Sequence, residues 1–157
     1  MRHQCSASIV IDSPPRAVWD VVSDVTRVGE WSGECRGCTW ERGSTTAVPG
    51  ARFRGRNRRG GLRWSRLNEI VVADAPRELI WRTVAAGLYP DSVEWRLFLE
   101  EDGPKTRVDQ SYRILTIPKV MEWAVSVAAP GHRDRTAELL GDLGRLKELV
   151  ESVPRRR

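Results

Sequence analysis

Long apolar runs are missing from this 157-residue sequence. No stretch approaches the roughly 18 consecutive apolar residues that a membrane-spanning helix needs. The first residues, Met1 to Cys5, also lack the apolar segment of a signal peptide. These absences predict a cytoplasmic protein with no integral membrane association.

Cysteine and lysine are scarce as well. Three cysteines, an odd number in a chain of this length, argue against a disulfide-stapled secreted domain and favour reduced thiols. Because lysine occurs only at Lys105, Lys119 and Lys147, the net charge of +5 comes almost wholly from arginine. This basic balance permits an anionic partner without requiring one.

Tryptophan, by contrast, is abundant. Seven tryptophans stand against two tyrosines and two phenylalanines, and each indole combines a large apolar face with one polar group. Such side chains suit the wall of a cavity for a small molecule. The length is that of one domain, so we predict a single ligand-binding domain over 1–157, with 154–157 as a disordered tail.

Alternating apolar and polar residues predict a first strand over 5–12. Turn residues then separate six further strands in the manner of an antiparallel meander. These strands are predicted over 34–41, 50–58, 62–73, 78–85, 92–100 and 106–115. The sheet therefore has seven strands.

Helical spacing occurs in two regions. After Pro14 and Pro15, apolar residues recur at helical intervals and predict a helix to about Asp24, followed by a short helical turn over 25–31. Near the C-terminus a stripe with steps of four and three predicts an amphipathic helix over about 132–153. The stripe consists of Leu139, Leu143, Leu146, Val150 and Val153. Between the two regions, proline and glycine punctuate 118–131, which is a candidate for a mobile lid.

Several short motifs follow the same order as these elements. They are Ser13-Pro14-Pro15 with Val18-Trp19, Glu30-Trp31-Ser32, the run from Gly50 to Asn57, Arg63-Trp64-Ser65, Glu94-Trp95-Arg96 and Thr106-Arg107-Val108. In motifs and element order the chain resembles the START-like (SRPBCC) superfamily, in particular its polyketide cyclase/dehydrase-like members. The resemblance implies an α+β helix-grip fold, in which a seven-stranded curved antiparallel sheet wraps around a long C-terminal helix and two short helices follow the first strand. It also implies a deep cavity between sheet and long helix.

Strand alternation sorts the residues that would face such a cavity, because residues two apart share a face. With Trp31 from the preceding helical turn, the predicted ligand-binding set is Trp31, Phe53, Asn57, Trp64, Arg66, Asn68, Trp81, Thr83, Trp95, Leu97, Gln110 and Tyr112. The apolar members could equally be ordinary core. The polar members would orient a carbonyl, hydroxyl or carboxylate. Arg66 would bind such a group or pair with Glu69 or Asp109.

Two functions follow from this reading. The first is binding, as a carrier or sensor, of a small apolar or aromatic molecule that is lipid- or polyketide-like. The alternative is an aromatase/cyclase-type enzyme, which needs an acid or base over its substrate. No histidine lies on an inward strand face, and His3 and His132 are predicted to be solvated or capping residues. Binding without turnover is therefore favoured, with no assigned catalytic residue and no cofactor.

Cys35 and Cys38 have the spacing of a metal or redox pair. Residues three apart on a strand point to opposite faces, and no second ligand pair lies nearby in the sequence. We therefore predict no metal site, with one thiol in the core and one on the surface.

The hairpin 52–66 favours a different class of function. Eight arginines and no acidic residue lie from Arg42 to Arg66, which creates a positive field suited to nucleic acid or an anionic membrane. Only Trp64 could stack on a base there, and it is predicted to point inward. A solvated strand face is thus favoured over a nucleic-acid site. The sequence carries no signal for an oligomeric interface.

Overall fold

The computed structural model describes residues 1–154 and contains seven strands and four α-helices. The strands are β1 (Gln4–Ile11), β2 (Cys35–Glu41), β3 (Arg52–Arg59), β4 (Leu62–Asp74), β5 (Glu78–Thr83), β6 (Ser92–Asp102) and β7 (Lys105–Thr116). The helices are α1 (Pro15–Val22), α2 (Val28–Trp31), α3 (Lys119–Ala128) and α4 (Thr136–Glu151). Single 3-10 turns precede α2 and α4 at Val25–Arg27 and Pro130–Arg133.

All strands belong to one antiparallel sheet. Their order is β1-β7-β6-β5-β4-β3-β2. From β2 to β7 each strand pairs with its neighbours in sequence, and β1 forms the edge opposite β2. There β1 pairs with β7, and Ala7 lies opposite Gln110. The predicted seven-stranded helix-grip fold is confirmed.

The helix α4 supplies the core on one side of the sheet. Its residues Leu139, Leu143, Leu146 and Val150 are almost fully buried, and the helix packs mainly on β1 and α2. It begins later than predicted because the Asp134 carboxylate accepts hydrogen bonds from the backbone N–H and hydroxyl of Thr136, which favours a new helix start. The last residue of the predicted stripe, Val153, lies beyond the helix and is exposed.

The helix α3 is set apart from this core. None of its residues is fully buried, and Val120, Trp123 and Val127 are exposed. It occupies most of the segment predicted as a lid. Of the predicted tail, residues 155–157 lie outside the described part of the chain. Among residues 1–154, no helix has the length and hydropathy needed to cross a membrane.

Candidate functional site

A cavity of about 400 Å³ lies between the inner face of the sheet and α3. Helix α3 contributes Met121, Ala124, Val125 and Ala128 to its wall. From α4 only Asp142 reaches the cavity, which differs from the expectation that the long helix would cover it. The reason is that the leucine stripe of α4 is closed tightly against β1 and the short helices, leaving space only beneath α3.

Ten of the twelve predicted site residues line this cavity. They are Phe53, Asn57, Trp64, Arg66, Asn68, Trp81, Thr83, Trp95, Gln110 and Tyr112. The other two do not reach it. Leu97 is completely buried where the sheet meets the core, and Trp31 is buried in the same core through α2, which packs on α4. Strand alternation identified the inner face of β6 correctly, but half of that face is filled by core.

Aromatic rings form a continuous wall across the inner face of the sheet. Phe53 on β3 meets Trp81 on β5 edge-on, with ring centroids 6.2 Å apart. Trp81 stacks on Trp95 of β6 at 6.3 Å and 16° between planes. Trp95 in turn meets Tyr112 of β7 at 4.9 Å. This wall, here called the aromatic wall (Phe53, Trp81, Trp95, Tyr112), presents ring faces and edges to the cavity.

A buried ion pair forms the second part of the wall. The Arg66 guanidinium donates to both carboxylate oxygens of Asp91, at 3.0 and 2.8 Å, and to the Asp91 backbone carbonyl at 3.0 Å. The ring of Tyr89 lies 5.0 Å from the guanidinium carbon. Neither of the partners predicted for Arg66 pairs with it, because Glu69 is bound by Arg52 and Asp109 by Arg107.

A polar cluster closes the cavity beneath the 3-10 turn before α4. His132 Nε2 lies 3.3 Å from a Glu34 carboxylate oxygen, and the imidazole packs edge-on against Trp64. Arg135 donates to the same carboxylate and, through Nε at 2.8 Å, to Glu138. The prediction that His132 is solvated or a helix cap is therefore wrong: its side chain is 16% exposed and lies on the cavity wall.

The environment shifts the pKa values of three acids in this wall. Burial opposes ionisation of Glu34, but its hydrogen bond with His132 and the charge of Arg135 prevail and lower its pKa. Burial raises the pKa of Tyr112, although the charge of Arg135 works against it. Burial likewise raises the pKa of Asp142, despite hydrogen bonds from Gly33 N–H and Arg145.

Comparison of the sequence with known protein families gives one match over nearly the whole chain. The family described as "Polyketide cyclase / dehydrase and lipid transport" matches residues 2–151. The chain belongs to this family. No curated protein matches the sequence significantly.

Solved structures agree with the family on the fold. TTHA0849 from Thermus thermophilus superposes with a TM-score of 0.71 at 15% identity, covering 95% of this chain and 97% of that one. DynU16 of the dynemicin biosynthetic locus gives 0.65 at 18% identity. The di-domain ARO/CYC BexL of the BE-7585A biosynthetic pathway gives 0.67 at 16% identity. The chain covers only 48% of each of these two longer proteins, from 97% and 98% of its own length.

Among the polar residues predicted for the site, Gln110 has a buried side-chain oxygen without a protein partner. Gln110 is 2% exposed, and its side-chain oxygen accepts no hydrogen bond. Two of the other predicted polar residues have partners: Asn68 donates to the Arg66 carbonyl at 3.1 Å, and the Thr83 hydroxyl accepts from Val93 N–H at 2.8 Å. Gln110 is therefore the group in the wall most in need of a ligand or water.

The polar cluster also offers three metal-type donors. The ligand atoms of Glu34, His132 and Glu138 lie within 4.8 Å of one another. However, Arg135 and Arg59 already neutralise the two carboxylates. A divalent cation there would meet two guanidinium charges at close range, so the donor set fits an internal ion-pair network better than a metal.

The two cysteines of β2 do not alternate as predicted. A β-bulge between Cys35 and Gly37 shifts the register of β2 against β3, and such a bulge turns residues that would alternate onto one side. Both thiols are buried, both line the cavity, and their sulfurs lie 3.4 Å apart. The prediction of one core and one surface thiol is wrong for this reason.

The arginine-rich hairpin is less positive than its sequence implies. Four of its arginines are paired with carboxylates from elsewhere in the chain: Arg52 with Glu69, Arg54 with Glu41, Arg59 with Glu138 and Arg66 with Asp91. Trp64 faces the cavity and not the exposed arginine row. These pairs weaken the case for a nucleic-acid surface.

Proposed function

We propose that the protein binds a small apolar or aromatic molecule, lipid- or polyketide-like, in the cavity beneath α3, as a carrier or sensor. The observation that carries the proposal is the aromatic wall facing a cavity of about 400 Å³. That volume lies in the range of small-molecule sites, and core residues would normally fill such a space. The three unpaired cysteines are in keeping with the cytoplasmic location predicted from the sequence.

Affinity and orientation come from different groups in this proposal. The aromatic wall supplies apolar area and ring faces, which favour a planar ligand. Arg66 is held in place by Asp91, and Gln110 presents a free acceptor. A ligand with a polar group at one point of an otherwise apolar body would satisfy both conditions.

Titration with the neutral apolar fluorophore N-phenyl-1-naphthylamine tests the proposal, alongside native mass spectrometry for a co-purifying molecule. Trp95→Ala removes a ring from the wall and should weaken probe binding about tenfold or more, the effect of losing roughly 1.4 kcal/mol of contact. Trp123→Ala is the matched control, because Trp123 is 68% exposed on the outer side of α3. Equal affinities for wild type and Trp95→Ala would reject the cavity as the binding site.

A second candidate function, an aromatase/cyclase-type enzyme, is supported by the contact between His132 and Glu34. In the tautomer whose Nε2–H is directed to the carboxylate, Nδ1 carries the lone pair that would accept a proton from a bound molecule. The lowered pKa of Glu34 keeps that carboxylate ionised at neutral pH. Arg66 and Arg135 also line the cavity, where guanidinium N–H groups not used by their paired carboxylates would stabilise an enolate by hydrogen bonding.

Proton exchange at the central carbon of a 1,3-diketone in deuterated water, followed by NMR, tests this second function. Wild type should accelerate the exchange, and His132→Gln should remove the acceleration. Glu34→Gln should reduce it by less, since it orients the imidazole without touching the substrate. Exchange at the buffer rate in the presence of wild-type protein would leave binding as the function.

A further inference from the structure

The paired thiols of Cys35 and Cys38 form a site that the proposed function does not use. Their sulfurs lie 3.4 Å apart, because the bulge in β2 brings both onto the cavity side. Cys38 lies opposite Gly55 of β3, which has no side chain. A Cβ atom at Gly55 would lie 3.6 Å from the Cys38 sulfur, in van der Waals contact with it. The missing side chain leaves that sulfur open toward the cavity.

The sulfur spacing suits one centre bound by both thiols. A tetrahedral ion with bonds of about 2.3 Å to two sulfurs holds them about 3.8 Å apart, so a shift of a few tenths of an ångström brings the pair into position. A zinc ion would need two further donors. The carboxylate of Glu34, the residue before Cys35, is already bound by His132 and Arg135. The site therefore fits a centre that needs only two sulfurs and brings its own organic group.

We propose that Cys35 and Cys38 form a dithiol site on the cavity wall that takes aryl- or alkyl-substituted trivalent arsenicals. The arsenic is bound by both sulfurs, and its organic group lies in the apolar cavity. Trivalent arsenic forms bonds to sulfur of nearly the length considered above, and soft thiolate ligands favour soft centres of this kind. The third cysteine, Cys5, is buried on β1 beside Asp134 and takes no part.

The reaction is a condensation without oxidation or reduction. The arsenic–oxygen bond of an arsine oxide and two S–H bonds break, two arsenic–sulfur bonds form, and the oxygen leaves with both protons as water. The hydrogen bond from the Cys38 thiol lowers the pKa of Cys35, whereas the same contact and burial raise that of Cys38. Cys35 is accordingly the thiol that attacks first.

Phenylarsine oxide tests the site on the reduced 157-residue chain. Intact mass spectrometry should show one phenylarsenic group per wild-type chain, bound with loss of one water. The adduct should persist in excess glutathione, a monothiol, and be removed by 2,3-dimercaptopropanol. Cys35→Ser and Cys38→Ser each leave one sulfur and should weaken binding about 100-fold, in line with the loss of a second linked contact. Cys5→Ser should bind as wild type does.

Peptide mapping of the wild-type adduct provides a readout that needs no variant. The group should bridge the two thiols of a single peptide that contains Cys35 and Cys38. Absence of a wild-type adduct would overturn the proposal, as would loss of the adduct in Cys5→Ser. A glutathione-resistant adduct on either Cys35→Ser or Cys38→Ser would show that one thiol suffices and would also overturn it. Thermal unfolding of each variant confirms that it is folded.

Discussion

The guanidinium of Arg66 donates hydrogen bonds to both the carboxylate and the backbone carbonyl of Asp91, and both side chains are about nine-tenths buried. Arg66 belongs to β4, whereas Asp91 ends the loop that leads into β6. The pair therefore fixes that loop against the sheet and shapes one side of the cavity. Ser92 strengthens the same junction by donating to the Thr83 carbonyl at 2.9 Å.

Removal of one partner of this pair should destabilise the protein strongly. Asp91→Ala leaves the Arg66 charge buried without its counter-ion, and such changes typically cost about 3–5 kcal/mol in the free energy of unfolding. Urea unfolding at pH 7 measures the effect. The double variant Arg66→Met with Asp91→Leu should recover most of the loss, because apolar residues of similar volume tolerate burial.

The exposed pair of Arg77 and Asp74 provides the control for this prediction. Its side chains are 66% and 51% exposed, so Asp74→Ala should change the unfolding midpoint little. Similar losses of unfolding free energy for Asp91→Ala and Asp74→Ala would mean that burial does not determine how much Asp91 contributes to stability.

Strand periodicity predicts the inner face of the sheet where side-chain direction depends on alternation alone. Phe53, Trp81, Trp95 and Tyr112 lie in antiparallel pairing, and for each of them alternation predicts the inner face on which the structure has it. Leu97 was placed on the correct face as well, but alternation cannot tell which part of a face is covered by α4. The local rule failed at Cys35, where one bulge changes the register.

Apart from Arg66, the charged residues of the wall are not predicted by strand periodicity, for a different physical reason. Glu34, Asp91, His132 and Arg135 all lie at strand or helix ends or in connecting turns. No period fixes side-chain direction there, and long-range pairing decides it. The only available signal was chemical: an acidic residue next to a predicted strand and a histidine next to a basic residue before the last helix.

Truncation of Leu97 should separate core stability from ligand binding. The side chain is completely buried and lies outside the cavity wall, so Leu97→Ala should cost about 2–5 kcal/mol of unfolding free energy. Its affinity for N-phenyl-1-naphthylamine, measured while the variant is still folded, should remain that of wild type. A loss of affinity comparable with that of Trp95→Ala would place Leu97 in the binding site.

Acid should lower the free energy of unfolding of the wild-type protein, in part because Glu34 becomes protonated. Its folded-state pKa is lowered by His132 and Arg135 against the effect of burial. It therefore contributes stability above the unfolded pKa of about 4.3, which is lost as the pH falls through the lower folded value. Glu34→Gln should be less stable than wild type at pH 7, and the difference should shrink below about pH 4.3. Parallel curves from pH 7 to pH 3 would contradict the assignment.

The contribution of Asp142 to the free energy of unfolding should change with pH in the direction opposite to that of Glu34. Burial raises its folded-state pKa, so the ionised form is penalised at neutral pH and the penalty disappears as the pH falls toward the unfolded value of about 3.9. Asp142→Asn imitates the neutral carboxyl and keeps an acceptor for Gly33 N–H. We expect the variant to be at least as stable as wild type at pH 7 and to lose this advantage in acid, as measured by urea unfolding across the same pH series.

Helix α3 should be the part of the cavity wall that opens. It buries no residue fully, whereas α4 buries Leu139, Leu143 and Leu146, and segments with few buried contacts open at low free energy. Hydrogen–deuterium exchange followed by mass spectrometry should show amides of α3 exchanging much faster than those of α4.

Binding of N-phenyl-1-naphthylamine should slow exchange in α3, since Met121, Ala124 and Val125 line the cavity and would contact the bound probe. Exchange in α4 should change little, because only Asp142 of that helix reaches the cavity. The loop 42–50, none of whose residues lines the cavity, provides the internal reference. If saturating probe protected α4 and left α3 unchanged, α3 would not be the moving cover.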